Sequence, residues 1–261
     1  MHYYKSKKVL ITGASSGIGV SFARLLASYG AEIILTARRK DRLDQLAGKL
    51  ADEFNVAVEV IPCDLSDPSG PRQLFDELVR QNLEVDILIN NAGFGYNGKF
   101  EKADTETYEQ MIPVNVTAPV ILTRLLLPGM IARNRGGVLN VASMAGFLPI
   151  PYFSVYSATK QFVINFSWSL WHELKQTGIH VTVLCPGPVD TAFIDVAEVD
   201  RNRAAFRGLQ KPGIVAEKGL RGLSRNRPMS LSRASLWVPY LLARWLPVKI
   251  GLLGGEAAMK K

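Results

Sequence analysis

Val9-Leu10-Ile11-Thr12-Gly13-Ala14-Ser15-Ser16-Gly17-Ile18-Gly19 is the stretch on which the fold turns. Residues 9–12 read as a short apolar strand, and residues 18–29 carry apolar side chains at helical spacing. Between them the glycines let the backbone turn tightly and approach a pyrophosphate. The N–H groups and the positive dipole end of the following helix favour an anion there. The spacing is Gly-x-x-x-Gly-x-Gly, not the more widespread Gly-x-Gly-x-x-Gly. Ordinary tight strand–helix loops also use glycine, so the rest of the chain has to decide.

Outward from this loop, strands and helices alternate. Residues 32–36 form the second strand, and residues 40–54 a helix with Leu43, Leu46, Ala47 and Leu50 on one face. Residues 56–62 follow as a strand, 68–81 as a helix with proline near its start, and 86–89 as the fourth strand. A long helix fills most of 106–133, and 138–142 is the fifth strand. Residues 154–177 form a helix that Gly178 can end in a left-handed cap, and 180–185 is the sixth strand. Repeated strand–helix units imply right-handed crossovers and a parallel sheet covered on both faces. The expected fold is α/β, a single doubly wound Rossmann-fold domain with its ligand at the carboxyl ends of the strands. Residues 1–235 are expected to form the catalytic domain, with a cofactor half over about 8–142 and a catalytic and substrate half over about 143–235. Residues 236–261 read as an apolar and basic extension.

Composition narrows the class. The chain has 261 residues, 48% apolar and 21% charged, which suits one substantial core and argues against extended disorder. No apolar run near the start is long enough for a signal peptide. The two cysteines, Cys63 and Cys185, each close a strand and read as buried, reduced thiols rather than nucleophiles. The expected location is therefore cytoplasmic. The net charge of +8 is uneven: residues 201–261 hold 13 Lys/Arg and 2 Asp/Glu, giving +11, and the remainder gives −3. Such a segment can attract nucleic acid, anionic lipid or an anionic substrate, or simply be a solvated basic face. No nucleic-acid-binding module is present, and the aromatics there lie in an apolar stripe, so nucleic acid is not an expected partner.

The unusual residues cluster at strand ends. Gly13, Ser15, Ser16, Gly17 and Ile18 follow the first strand, and Arg38 and Arg39 the second. Asp64 and Leu65 follow the third, and Asn90-Asn91-Ala92-Gly93 ends the fourth. Ser143 ends the fifth, and Pro186-Gly187 the sixth. In a dinucleotide fold the second strand ends at the adenosine ribose. An acid there suits a free 2′-hydroxyl, and arginine suits a 2′-phosphate. The sequence therefore favours NADP(H), although two surface arginines at a helix start are common. Tyr156 and Lys160 stand four apart on one helix face. A tyrosine's ordinary pKa of about 10 makes it a poor acid–base group near neutrality, and a neighbouring ammonium should pull it down. Ser143, at the end of the fifth strand, can hydrogen-bond the oxygen of a carbonyl to which Tyr156 would pass its proton. This chemistry calls on no metal.

Together these residues resemble the classical short-chain dehydrogenase/reductase family, in its NADP-preferring bacterial-type branch. The resemblance runs from about residue 8 to 191 through the glycine loop, Asp64-Leu65, Asn90–Gly93, Asn115, Ser143, Tyr156-Ser157-Ala158-Thr159-Lys160 and Pro186-Gly187-Pro188-Val189-Asp190-Thr191. It implies that Gly13, Gly17 and Ile18 face the pyrophosphate and that Arg38 holds the adenosine phosphate. Asp64 and Leu65 would meet the adenine, with Asn91 and Gly93 beside its ribose. Ser143 would orient the substrate carbonyl and Tyr156 deliver the proton. Lys160 would bind the nicotinamide ribose, and Asn115 would hold a water that links it to solvent. Pro186, Gly187, Val189 and Thr191 would pack on the nicotinamide and its carboxamide. A homodimer or homotetramer is the expected assembly.

Three departures stand out. Pro113 interrupts the long helix two residues before Asn115. Ser16 stands where many NADP-dependent members carry a basic residue. The usual closing Asp-Gly-Gly turn is missing, which puts the last strand and the C-terminal dimer contact in doubt. The expected activity is reduction of a hydrophobic ketone, aldehyde or 3-oxoacyl group. A non-catalytic NADP(H)-binding redox sensor is the alternative, although a sensor has no need of Ser143, Tyr156 and Lys160 together. Phe147, Leu148, Ile150, Pro151, Phe153 and the mobile-looking residues 192–213 would form the pocket. In the tail, Leu236, Tyr240 and Leu241 share one helical face, with Trp237 and Trp245 flanking and Pro239 confined to the first turn. Arg244 and Lys249 make the apolar run too short to span a bilayer. The tail should either cover the protein's own pocket or a partner subunit, or rest on an anionic membrane surface.

Overall fold

The computed structural model describes residues 2–200, 208–245 and 247–259. Seven strands form one parallel sheet: β1 Lys8–Thr12, β2 Glu32–Thr36, β3 Val58–Val60, β4 Ile87–Asn90, β5 Gly136–Val141, β6 Ile179–Cys185 and β7 Met229–Leu231, in the order β3-β2-β1-β4-β5-β6-β7. The switch of direction lies between β1 and β4, whose registers pair Val9 with Ile87 and Ile11 with Ile89. That is where a doubly wound sheet opens a crevice for a ligand.

Helices cover both faces: α1 Gly17–Ser28, α2 Lys40–Phe54, α3 Gly70–Arg80, α4 Thr105–Ile112, α5 Ala118–Ala132, α6 Ser154–Glu173, α7 Phe193–Val196, α8 Pro212–Ser224, α9 Trp237–Trp245 and α10 Val248–Met259. Alternate strand residues feed opposite layers. Val9, Ile11, Ile33, Leu35 and Ile89 pack with Phe22, Leu26, Leu43 and Leu220 of α1, α2 and α8. Leu10, Ile34, Leu88, Val138 and Val181 pack with Leu74, Leu122, Met130 and Leu170 of α3, α5 and α6.

Several expectations are corrected. The third strand is only Val58–Val60. The next helix begins at Gly70 with Pro71 in its first turn, because Asp67 Oδ1 accepts from the Ser69 N–H (2.8 Å) and hydroxyl (2.7 Å), holding Pro68 in a turn outside it. Gly178 is not a left-handed cap, since α6 ends at Glu173 and Gly178 is absent from the positive-φ positions. Glycine is needed there for space: a Cβ would lie 2.0 Å from the Asn134 carbonyl oxygen. The last strand, placed in doubt by the missing turn, is present as β7 on β6, and α8 crosses to it.

The long helix splits at Pro113. Without an N–H, Pro113 cannot continue the α-helical ladder, and residues Pro113–Thr117 widen into a π turn closed by Ala118 N–H donating to the Pro113 carbonyl. The turn sets Asn115 inside the protein, 1% exposed. The stretch Thr105–Ala132 is long and apolar enough to cross a membrane by length and composition. Here its Leu122, Leu126 and Met130 are buried against the sheet as a core helix.

Candidate active site

A cavity of about 700 Å³ opens over the carboxyl ends of the strands. Every cofactor or catalytic residue expected from the sequence lines it except Asn115. Its walls are assembled by backbone geometry first. Gly13 (φ +65°) and Gly17 (φ +57°) occupy the left-handed region, and a Cβ on Gly19 would lie 2.3 Å from the Gly13 carbonyl oxygen. The loop can therefore fold back on the start of α1 only with glycine at these positions. Thr12, 2% exposed, then clips two strand ends together. Its Oγ1 accepts from the Asn91 N–H (2.9 Å) and the Ala92 N–H (3.0 Å). Asn91 Nδ2 returns the link by donating to the Thr12 carbonyl at 2.9 Å. Thr12 was not singled out as a site residue in the sequence. Its position at a strand end hinted at it, but only the neighbouring strand reveals the clip.

At the outer end, Arg38 and Arg39 are exposed beside the cavity. Arg39 Nη2 donates to Ser15 Oγ at 3.2 Å, and among the described residues neither arginine forms an ion pair. Two cations over a glycine loop are ready for a phosphate. Asp64 Oδ1 accepts from the Ser66 N–H (2.9 Å) and hydroxyl (2.7 Å), which fixes the loop that carries Leu65. The inner end also fits a flat group lying close to the backbone. A Cβ on Gly93 would lie 3.0 Å from Asn115 Oδ1 and 3.1 Å from Lys160 Nζ, so glycine keeps that floor open.

The side chains expected to carry the chemistry stand where β5 and α6 meet. Ser143 follows β5, and its Oγ accepts from the Ala145 N–H at 3.1 Å. Tyr156 is 6% exposed, with its ring 4.4 Å from that of Phe153 and 5.3 Å from that of Phe193. Lys160 is 4% exposed; its Nζ donates to the Val141 carbonyl at 3.0 Å and lies 5.6 Å from the Tyr156 ring centre. The expected lowering of the tyrosine's pKa is reversed in this geometry. Burial raises it well above its ordinary value, and the hydrogen bond with Ser143 pulls the other way. Burial also pushes Lys160 down to about 8, with Cys185 opposing it. Both cysteine thiols are raised by burial, Cys63 to about 11, although Cys63 is only half-buried and touches the cavity.

Asn115 lies behind the cavity. Its Nδ2 donates to the Phe94 carbonyl (2.9 Å) and Thr159 Oγ1 (3.1 Å), and its Oδ1 accepts from the Phe94 N–H (3.1 Å). The side chain thus pins the loop after β4 to α6, one residue from Lys160.

A stability test follows from Lys160. Below about 8 the folded protein carries its buried ammonium. Between about 8 and the ordinary 10.5 the folded lysine is neutral while the unfolded chain still binds the proton. Folded stability then rises with pH through that window. Lys160→Met should therefore raise the melting temperature near neutrality, with an advantage that shrinks as the pH climbs past 8. An advantage that grew with pH would contradict the burial of a charged lysine.

The substrate end differs from the expected pocket. Ile150, Phe153, Ala192, Phe193, Ile194 and Val196 line it, as do Ala258 and Met259, for which no local sequence signal existed. Phe147, Leu148 and Pro151 do not line it, because the C-terminal helices cover them. The Phe147 ring lies 5.2 Å from that of Tyr240, and Leu148 and Pro151 lie against Gly251 and Gly255. Part of the 192–213 stretch, residues 201–207, lies outside the described residues.

Residues 7–202 match the family model described as short chain dehydrogenase. A very-long-chain 3-oxoacyl-CoA reductase of Anas platyrhynchos is 36% identical over 196 residues, which is 72% of this chain and 62% of that protein's length. A short-chain dehydrogenase from Sphingobium yanoikuyae, solved in complex with NADPH, is 34% identical with a TM-score of 0.82, over 91% of this chain and 93% of that one. The bulky-bulky ketone-specific alcohol dehydrogenase from Comamonas testosteroni is 29% identical with a TM-score of 0.78, over 91% and 92%. With the strand order and the cavity residues, these matches show that the chain belongs to the short-chain dehydrogenase family of oxidoreductases.

Proposed function

We propose that this protein reduces a hydrophobic ketone, aldehyde or 3-oxoacyl group with NADPH. The observation that carries the reading is the convergence of Ser143, Tyr156 and Lys160 in one cavity, between a glycine loop flanked by two exposed arginines and an apolar wall. Gly13, Ser15, Ser16, Gly17 and Ile18 would hold the pyrophosphate, and Arg38 and Arg39 the adenosine phosphate. Asp64 and Leu65 would flank the adenine, and Asn91, Ala92 and Gly93 its ribose side. Pro186, Gly187, Val189 and Thr191 would face the nicotinamide. When bound, NADPH supplies the hydride.

The chain's own groups handle the proton. Ser143 orients the carbonyl oxygen. Tyr156, kept neutral by burial, gives its phenolic proton to that oxygen as negative charge develops on it. Lys160 remains largely protonated near neutral pH and stabilises the resulting phenolate. Asn115 holds the backbone beside it. NADPH oxidation by hydrophobic ketones, aldehydes and 3-oxoacyl thioesters tests the reading, and NADPH binding with no turnover across the panel would overturn it. In this reading residues 1–235 are the catalytic domain, 236–261 form its extension, and assembly is as a homodimer or homotetramer, checked by light scattering.

The extension also supports a peripheral membrane contact for an enzyme of the cytoplasm. Of the 15 exposed large apolar residues among those described, eight lie between Trp237 and Leu253, with Trp245 85% exposed. The +11 charge of residues 201–261 complements anionic lipid, whereas a twofold contact between two such tails would bring like charges together. Sedimentation with anionic vesicles but not neutral ones, weakened by salt, is the expected result. Trp245→Glu with Leu253→Glu should abolish it. Salt-insensitive or absent binding would remove the membrane from the account.

A further inference from the structure

We infer that α10 closes the substrate end of the cavity, with Met259 setting how long a carbonyl substrate can be and Asn97 latching the helix in place. The inference rests on the reductase reading and assigns its size limit to the C-terminal helix. α10 lies close because its inner face is small. A Cβ on Gly251 would lie 3.0 Å from Leu148 Cδ2, and one on Gly255 would lie 3.2 Å from Pro151 Cδ. That approach brings Met259, 6% exposed, into the cluster that holds Met111, Phe153, Tyr156 and Ile194. A flexible thioether among these residues is a plug whose volume decides how far an apolar chain can run past Tyr156.

Asn97 explains why the end of the helix stays there. It is fully buried, and its Nδ2 donates to the Met259 carbonyl at 3.2 Å and the Tyr152 carbonyl at 3.3 Å. Its backbone N–H donates to the Ala197 carbonyl at 2.8 Å. One residue therefore joins α10, the end of α7 and the loop before α6, three walls of the same cleft. The last carbonyls of a helix lack intrahelical donors, and the asparagine supplies one. Among the described residues the buried Asn97 Oδ1 has no partner, and the amide's Nδ2 bonds hold two backbones together.

The test compares wild type, Met259→Ala, Met259→Trp and Asn97→Asp on methyl n-alkyl ketones of increasing chain length. Met259→Ala should raise kcat/KM for the longest relative to the shortest ketone by roughly 10-fold or more, the effect of a few methylene groups in an apolar pocket. Met259→Trp should lower the same ratio. Asn97→Asp turns a carboxylate toward two carbonyl oxygens and should loosen the plug, moving the ratio in the direction of Met259→Ala. NADPH affinity should not change in any of them. Ketone binding to the NADPH complex, read from bound-NADPH fluorescence, repeats the comparison without turnover. A length dependence seen in binding alone would uphold the plug and sink the reductase reading. Superimposable length profiles for wild type and both Met259 variants, by either readout, would overturn the inference.

Discussion

Tyr156→Phe is expected to lower turnover by roughly 10²–10⁴-fold, the usual cost of losing a positioned general acid. The substitution keeps the ring, so the contacts with Phe153 at 4.4 Å and Phe193 at 5.3 Å survive and the cavity keeps its shape. What disappears is the proton that meets the developing oxyanion. Ser143 cannot take over, because an ordinary hydroxyl is a far weaker acid than a phenol. Since the lost interaction is made only in the transition state, kcat and kcat/KM should fall together while NADPH affinity holds. Steady-state kinetics beside an NADPH titration check this. Near-normal kcat in the variant would remove Tyr156 from the chemistry.

Arg38→Asp should weaken NADPH by roughly 10- to 100-fold, since hydrogen bonds to charged groups contribute about 1.5–3 kcal/mol and the new carboxylate adds repulsion. NADH lacks the 2′-phosphate and should bind unchanged or better, because an acid at the end of the second strand suits a free ribose hydroxyl. The ratio of the two dissociation constants is therefore the sensitive quantity. Arg39 donates to Ser15 and remains in place, so the loop itself should not shift. A wild-type protein that already prefers NADH would show that the reading of Arg38 and Arg39 is wrong.

Much of the candidate site was legible because its geometry is local. Gly13, Gly17 and Gly93 are conspicuous since each needs either positive φ or the room a missing Cβ leaves, and such needs leave their mark in residue type. The Tyr156–Lys160 spacing follows from helix periodicity alone. Other features arise only when distant segments meet. The high pKa of Tyr156 comes from burial by Phe153, Phe193 and their neighbours, which no four-residue spacing encodes. β7 has only three residues, too few for an alternating pattern to show, and the apolar positions Val215, Leu220 and Leu223 of α8 lie beyond the last strand that the strand–helix alternation predicts, in a stretch given no element. Pro113 was visible as a helix breaker, but the π turn it makes depends on the α-helices continuing on both sides. Met259 carries no local signal; Asn97, more than 160 positions away in the chain, is what places it.

The most direct test of the central claim is deuterium transfer from NADPH deuterated at both C4 positions to a hydrophobic ketone, followed by mass spectrometry of the alcohol. The account predicts one deuterium on the carbinol carbon in the wild-type reaction, and a deep loss of labelled product in Tyr156→Phe at saturating NADPH. Absence of label in the wild-type product, or equal labelled product from both proteins, would contradict it.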